Sequence, residues 1–131
     1  MEEQYAICRV SISPMRAEPS DQAEIVSQLL FGDTVLLLEK ADKWWRIQNT
    51  ADAYEGWIDF KQVIGVEKPE KSYYLAPPQV HNEITAADGS KYFLAASSNL
   101  PAYQDGFCRI GQAQFKVEFE PLQVNAEHGA T

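Results

Sequence analysis

Between Tyr5 and Ser13 the chain alternates in polarity and size. Ala6, Cys8, Val10 and Ile12 fall on one side, and Tyr5, Ile7, Arg9 and Ser11 on the other. A two-residue period puts successive side chains on opposite faces of a strand. Pro14 is expected to close that strand, and the stretch 14–23, PMRAEPSDQA, reads as a loop, long for a hairpin connection. The next run, Glu24 to Leu30, is a second strand. Phe31-Gly32-Asp33 then forms a turn in which glycine is free to take a positive φ. Thr34 to Glu39 is a third strand, and its unbroken leucines predict burial over most of its width. Ala41-Asp42 turns the chain into Lys43–Gln48. There Trp45 and Ile47 share the core face, which leaves Trp44 at the surface beside Arg46 and Gln48. After a polar loop at 49–53, Glu55 to Asp59 is a short strand. Phe60 to Val63 has room for one helical turn, and Ile64 to Val66 closes the set.

This density of short strands, with one long early loop and no long helix, predicts a small closed or partly open barrel over residues 1–66. A unit of this size buries only about 60% of its unfolded surface and gains from a second unit. Residues 67–71, EKPEK, form a charged, proline-containing link. Strand signals resume at 72–76 and 80–85. Asp88-Gly89 predicts a type I′ turn into Lys91–Ala96. A loop at 97–101 leads to further strands at 106–111 and 113–119, and 121–131 reads as a tail. Phe107-Cys108-Arg109-Ile110 faintly echoes Trp44-Trp45-Arg46-Ile47. The expected fold class is all-β, two small barrels in tandem, the second over 72–120.

Charge narrows the partners. The formal net charge is -8, from 11 Lys+Arg against 19 Asp+Glu. A phosphate backbone or an anionic lipid surface wants a basic face, so nucleic acid and membrane are not expected partners. The strongest apolar run, Val35–Leu38, is far short of the about 20 residues that cross a bilayer. The opening MEEQYAICRV has no leader pattern, which makes a cytoplasmic location the expectation. Cys8 and Cys108 lie within strand patterns and are expected to be reduced core thiols. No CxxC occurs, and His81 and His128 lack ligand-spaced neighbours, so neither metal nor cofactor is implied. No complete catalytic set is present.

Several stretches carry a resemblance: Arg16-Ala17-Glu18-Pro19-Ser20, the run from Glu24 to Asp33, Trp44, and Tyr54-Glu55-Gly56-Trp57. In that order and spacing they resemble the first bacterial SH3-like domain of NlpC-type cell-wall peptidases. Those enzymes are papain-fold cysteine peptidases that cut γ-D-glutamyl-diamino-acid bonds in peptidoglycan peptides. Asp88-Gly89-Ser90, Asn99-Leu100-Pro101 and Gly111–Phe115 look like the second SH3-like domain of the same enzymes. The chain lacks the family's Asp-Cys-Ser-Gly segment and its histidine. The resemblance therefore implies either the non-catalytic front of such a peptidase, working with a papain-fold domain in cis, or a stand-alone module that binds cell-wall peptides or a protein partner. It implies that the first barrel helps wall the substrate cleft and grips the free amine of an L-Ala-γ-D-Glu-diamino-acid peptide, a muropeptide recycled in the cell. Tyr54 matches the family tyrosine by motif position. Glu24 is the one acid on the strand that supplies the family's carboxylate. Trp57 and Trp44 complete the expected binding set, Trp57 more as packing and Trp44 as an aromatic stacking surface. The second barrel is expected to be a scaffold, since no polar constellation gathers in its sequence. A eukaryotic-type SH3 groove for Pro-rich peptides has Trp44-Trp45 in its favour, but it lacks the acidic Ala-Leu-Tyr-Asp-Tyr strand.

Overall fold

The computed structural model describes residues 3–67 and 73–124. The expected link, apart from Glu67, and the tail beyond residue 124, with His128, lie outside the described residues. The chain divides into two compact units, 1–69 and 70–131.

The first unit is a run of short strands: β1 (Gln4–Cys8), β2 (Ile12–Arg16), β3 (Ile25–Leu30), β4 (Thr34–Ala41), β5 (Trp44–Asn49), β6 (Glu55–Asp59) and β7 (Val63–Val66). A single 3-10 turn, Phe60–Gln62, precedes β7. They form one antiparallel sheet in the order β3-β2-β6-β5-β4-β1-β7. Its edges are β3 and β7, and no ladder joins the two among the described residues. The Asp59 carboxylate starts the 3-10 turn by accepting from the Lys61 N–H at 3.0 Å.

The single strand expected over Tyr5–Ser13 is two. At 9–11 the chain changes partners: β1 pairs with β4 and β7, β2 with β3 and β6. The Cys8 carbonyl accepts from Gly32 N–H and the Ser11 carbonyl from Phe31 N–H, which fixes the corner. Pro14 lies inside β2 rather than after it. A proline fits there because β6 meets β2 only at Arg16, leaving one edge of β2 unpaired at Pro14. The loop is accordingly shorter, residues 17–24. In β4 only Val35 is fully buried, and Leu38 is exposed. An antiparallel sheet with one solvated face cannot hide consecutive leucines, and a bulge between Leu37 and Glu39 shifts the pleat further.

One face carries the core: Ala6, Cys8, Met15, Leu29, Val35, Ile47, Ile58 and Val63, with Val10, Val26, Leu37 and Trp45 packed against it. Buried Ser13 is satisfied by donating its hydroxyl to Gln62 Oε1. Trp44 points away from this core, on the face of Arg46 as its position predicts. It is nevertheless only 8% exposed, which corrects the expectation of a surface tryptophan. Its cross-strand neighbours are Ala41 and Asp59, and the Lys43 ammonium stands 5.7 Å from its ring centre. Face assignment follows from the strand period; coverage of that face does not.

The second unit contains β8 (Tyr74–Leu75), β9 (Glu83–Ala86), β10 (Lys91–Phe93), β11 (Phe107–Ile110), β12 (Ala113–Val117) and β13 (Leu122–Gln123). A four-stranded sheet runs β10-β9-β12-β11, and β13 pairs with β8. Part of the expected tail is therefore a strand. Ile84, Leu94, Leu100, Cys108, Ile110, Phe115 and Val117 are buried. The Asp88-Gly89 hairpin exists, but its turn differs from the one expected. Gly89 N–H donates to the Ala86 carbonyl, Ala86 N–H donates to the Ser90 carbonyl, and only Gly89 has positive φ, at 91°. That is a three-residue loop built on a type I turn with glycine in the left-handed position. The I′ signature falls instead at Asp105-Gly106, with φ of 51° and 88° between bridged Gln104 and Phe107.

Among the described residues every regular element except one 3-10 turn is a strand, so the fold is all-β. Among the described residues no helix is long and apolar enough to cross a membrane, which says nothing of β-barrels.

Candidate functional site

Strand direction places two of the sequence-predicted residues, Glu24 and Tyr54, at the same end of the sheet. β3 and β6 both run antiparallel to β2, which lies between them. The N-terminal ends of β3 and β6 therefore flank the C-terminal end of β2. Glu24 immediately precedes β3, and Tyr54 immediately precedes β6. Their backbones are two strand spacings apart across the sheet, roughly 10 Å, and offset by about two residues along it. A glutamate and a tyrosine side chain can reach toward one ligand group across that gap.

The intervening loop, 17–24, is tied down by its own hydrogen bonds. Ala17 N–H donates to the Glu24 carbonyl, Ala23 N–H to the Ser20 carbonyl, and Gln22 N–H to Ser20 Oγ. The Arg16 guanidinium donates to the Ala23 carbonyl at 3.0 Å. Glu24 is held in position by backbone contacts while its carboxylate stays exposed. Among the described residues that carboxylate has no ion-pair partner within 4.0 Å. At Tyr54, the backbone N–H donates to Asp52 Oδ1 at 2.9 Å, and the carbonyl accepts from Asn49 N–H. The side chain is 44% exposed, and among the described residues its hydroxyl makes no hydrogen bond.

Glu55, next to Tyr54, is the obvious rival for the role of free carboxylate. It is committed elsewhere. Arg46 donates to Glu55 Oε1 at 2.8 Å and to Glu39 Oε1 at 3.1 Å, bridging three strands. This triad is absent from the sequence reading; β4–β5–β6 adjacency is what assembles it. Gly56 of Tyr54-Glu55-Gly56-Trp57 has a structural task. A Cβ there would lie 3.2 Å from the Arg16 carbonyl oxygen and 3.2 Å from Met15 Cβ. Glycine lets β2 approach β6 and so sets Glu24 and Tyr54 at their spacing. Trp57 is half-buried, opposite Arg16 on one side and Arg46 on the other. Trp44, at the far end of β5, is not brought to Tyr54, and its ring offers little open surface.

Neither cysteine is a nucleophile in waiting. Cys8 and Cys108 are free and buried. Burial pushes each thiol up to about 12 from 9.0. A reactive thiolate needs the opposite environment, a cation or helix N-terminus beside it.

The second unit holds a polar cluster that its sequence does not show. Gln104, Asp105, Arg109 and Gln114 line a cleft of about 330 Å³ with Ala102 and Phe107. Arg109 and Gln114 are directly opposite across β11 and β12. Register assembles this group; no motif announces it.

With this geometry in hand, comparison with known proteins adds one finding. Residues 15–63, from β2 to the start of β7, match the model of the bacterial dipeptidyl-peptidase Sh3 domain. The first unit thus contains a bacterial SH3-like region similar to those of peptidase-associated proteins, a binding-module type without catalytic residues of its own. No curated protein matches the chain.

Proposed function

We propose that the chain is the non-catalytic, substrate-recognising part of an NlpC-type muropeptide endopeptidase. In this reading the first unit recognises the free N-terminal amine of an L-Ala-γ-D-Glu-diamino-acid peptide. The observation that carries it is the pair of uncommitted groups at one end of the sheet. Glu24 offers an exposed carboxylate and Tyr54 a free hydroxyl, while the adjacent acid Glu55 is tied to Arg46. An ammonium has three donors and no acceptor, so a carboxylate and a hydroxyl oxygen are the matching partners. The bond-cutting thiol belongs to a papain-fold domain, and the second unit acts as a scaffold.

The test is an NMR titration of the chain with L-Ala-γ-D-Glu-diaminopimelate beside its N-acetylated form. Saturable shifts centred on Tyr54 and Glu24, lost on acetylation, are expected at millimolar peptide. Tyr54→Phe and Glu24→Gln should each weaken binding about 3- to 10-fold, the range for one charge-assisted hydrogen bond in a solvent-exposed site. Equal binding of the acetylated peptide, or none of either, overturns amine recognition.

A further inference from the structure

The other end of the same sheet is open. Directly opposite residues of an antiparallel pair share a face, so the register identifies what lines the inner side. Going along the core face, Cys8 pairs with Val63, then Ala6 with Gly65, while Val35 and Leu37 follow on β4 and Ile47 and Trp45 on β5. Packing is complete at Cys8, Val35 and Ile47 and stops at Gly65. A Cβ on Gly65 would meet nothing within 4 Å. The unfilled space is a cleft of about 740 Å³, within the size of small-molecule sites. Leu37 and Trp45 give it apolar walls. Glu67, two residues beyond Gly65, and Lys40, opposite Trp45, supply charge at its lining.

Its chemistry is specific. The Tyr5 hydroxyl donates to Glu3 Oε1 at 3.0 Å, which commits that carboxylate on the other face of β1 and leaves Glu67 as the acid of this lining. The face of Trp45 already holds a cation: the Lys40 ammonium stands 4.9 Å from the ring centre. An aromatic face with a carboxylate at the same lining favours a positive group with an apolar stem. Lys40 reaches that place from a strand neighbour of Trp45, on an exposed and flexible side chain.

The geometry points to a second ligand site here, one for a primary ammonium on an alkyl stem, with Lys40 as a built-in competitor on Trp45. The stem lies along Leu37 in the space Gly65 leaves. The ammonium takes the Trp45 face and the carboxylate of Glu67. This site is at the opposite end of the strands from Glu24 and Tyr54, and stands or falls independently of the amine recognition proposed there.

The probe is n-hexylammonium, titrated into the whole chain and followed by the Trp45 indole N–H and the Leu37 methyl signals, with hexanoate and hexanol as controls. Saturable shifts with the ammonium alone are expected. Lys40→Ala should tighten binding at least about 3-fold by freeing the ring face. Glu67→Gln should weaken it by a similar factor. Gly65→Leu fills open space without touching the packed core, and should abolish binding with the remaining spectrum preserved. Equal binding of hexanol or hexanoate overturns the proposal. So does the lack of saturable shifts in both the native chain and Lys40→Ala, or weaker binding in Lys40→Ala.

Discussion

Single residues set the shape of the first sheet, and Gly56 does so by the room it leaves. Gly56 sits where the Arg16 carbonyl and Met15 leave no room for a Cβ. Gly56→Ala should destabilise the fold by about 1–3 kcal/mol, the cost of overpacking a close-packed contact. Urea unfolding should show the loss as a lowered midpoint with an unchanged slope. Arg46 also acts at this scale. It joins Glu39 and Glu55, but the groups are partly exposed, with side-chain accessibilities of 35%, 53% and 49%. Solvent screening keeps such pairs to about 0.2–1 kcal/mol each. Arg46→Met should therefore cost less stability than Gly56→Ala, and the difference from native should shrink in high salt.

At the level of elements, turn chemistry decides the hairpins. Asp105-Gly106 takes the two left-handed conformations of a type I′ turn. Gly106→Ala introduces a Cβ at a φ of 88° and should cost about 1 kcal/mol or more. A Cβ at Gly106 meets open space, so the loss comes from backbone strain alone. Thermal unfolding of the second unit's assigned NMR signals checks this. Residues 105–106 and 88–89 are the same dipeptide, yet they form different turns. The loop length between ladder ends, fixed by which residues pair across the sheet, selects the turn, so the dipeptide alone does not.

Over the whole molecule, each unit has its own buried thiol, Cys8 in the first and Cys108 in the second. Burial raises both folded-state values to about 12 from 9.0, so folded protein holds these protons more tightly than unfolded chain. The associated stability is fully present below about pH 9 and is lost as pH rises from about 9 toward 12. Denaturant midpoints should fall across that window, and less steeply in Cys8→Ala for the first unit and Cys108→Ala for the second. Neither thiol should react with a disulfide reagent under native conditions near neutral pH. Reaction of each single-cysteine variant in rising urea would then report the opening of one unit at a time.

Much of the strand plan was legible in the chain because its signal is local. The two-residue period, Gly32 and the Asp59–Gln62 segment mark elements through neighbours a few positions apart, and β3 through β7 lie where those signals put them. The motif order also marked Tyr54 and Glu24. Tertiary structure decided the rest, because it depends on residues distant in sequence. Pro14 is tolerated inside a strand because β6 stops short of it. Trp44 keeps the predicted face but loses its exposure to packing that no strand period records. Glu55 is tied to an arginine nine residues earlier, and Arg109 gains its polar neighbours through β-register. The cleft at Gly65 exists because the core ends one side chain too soon, a property of how strands meet rather than of any one of them.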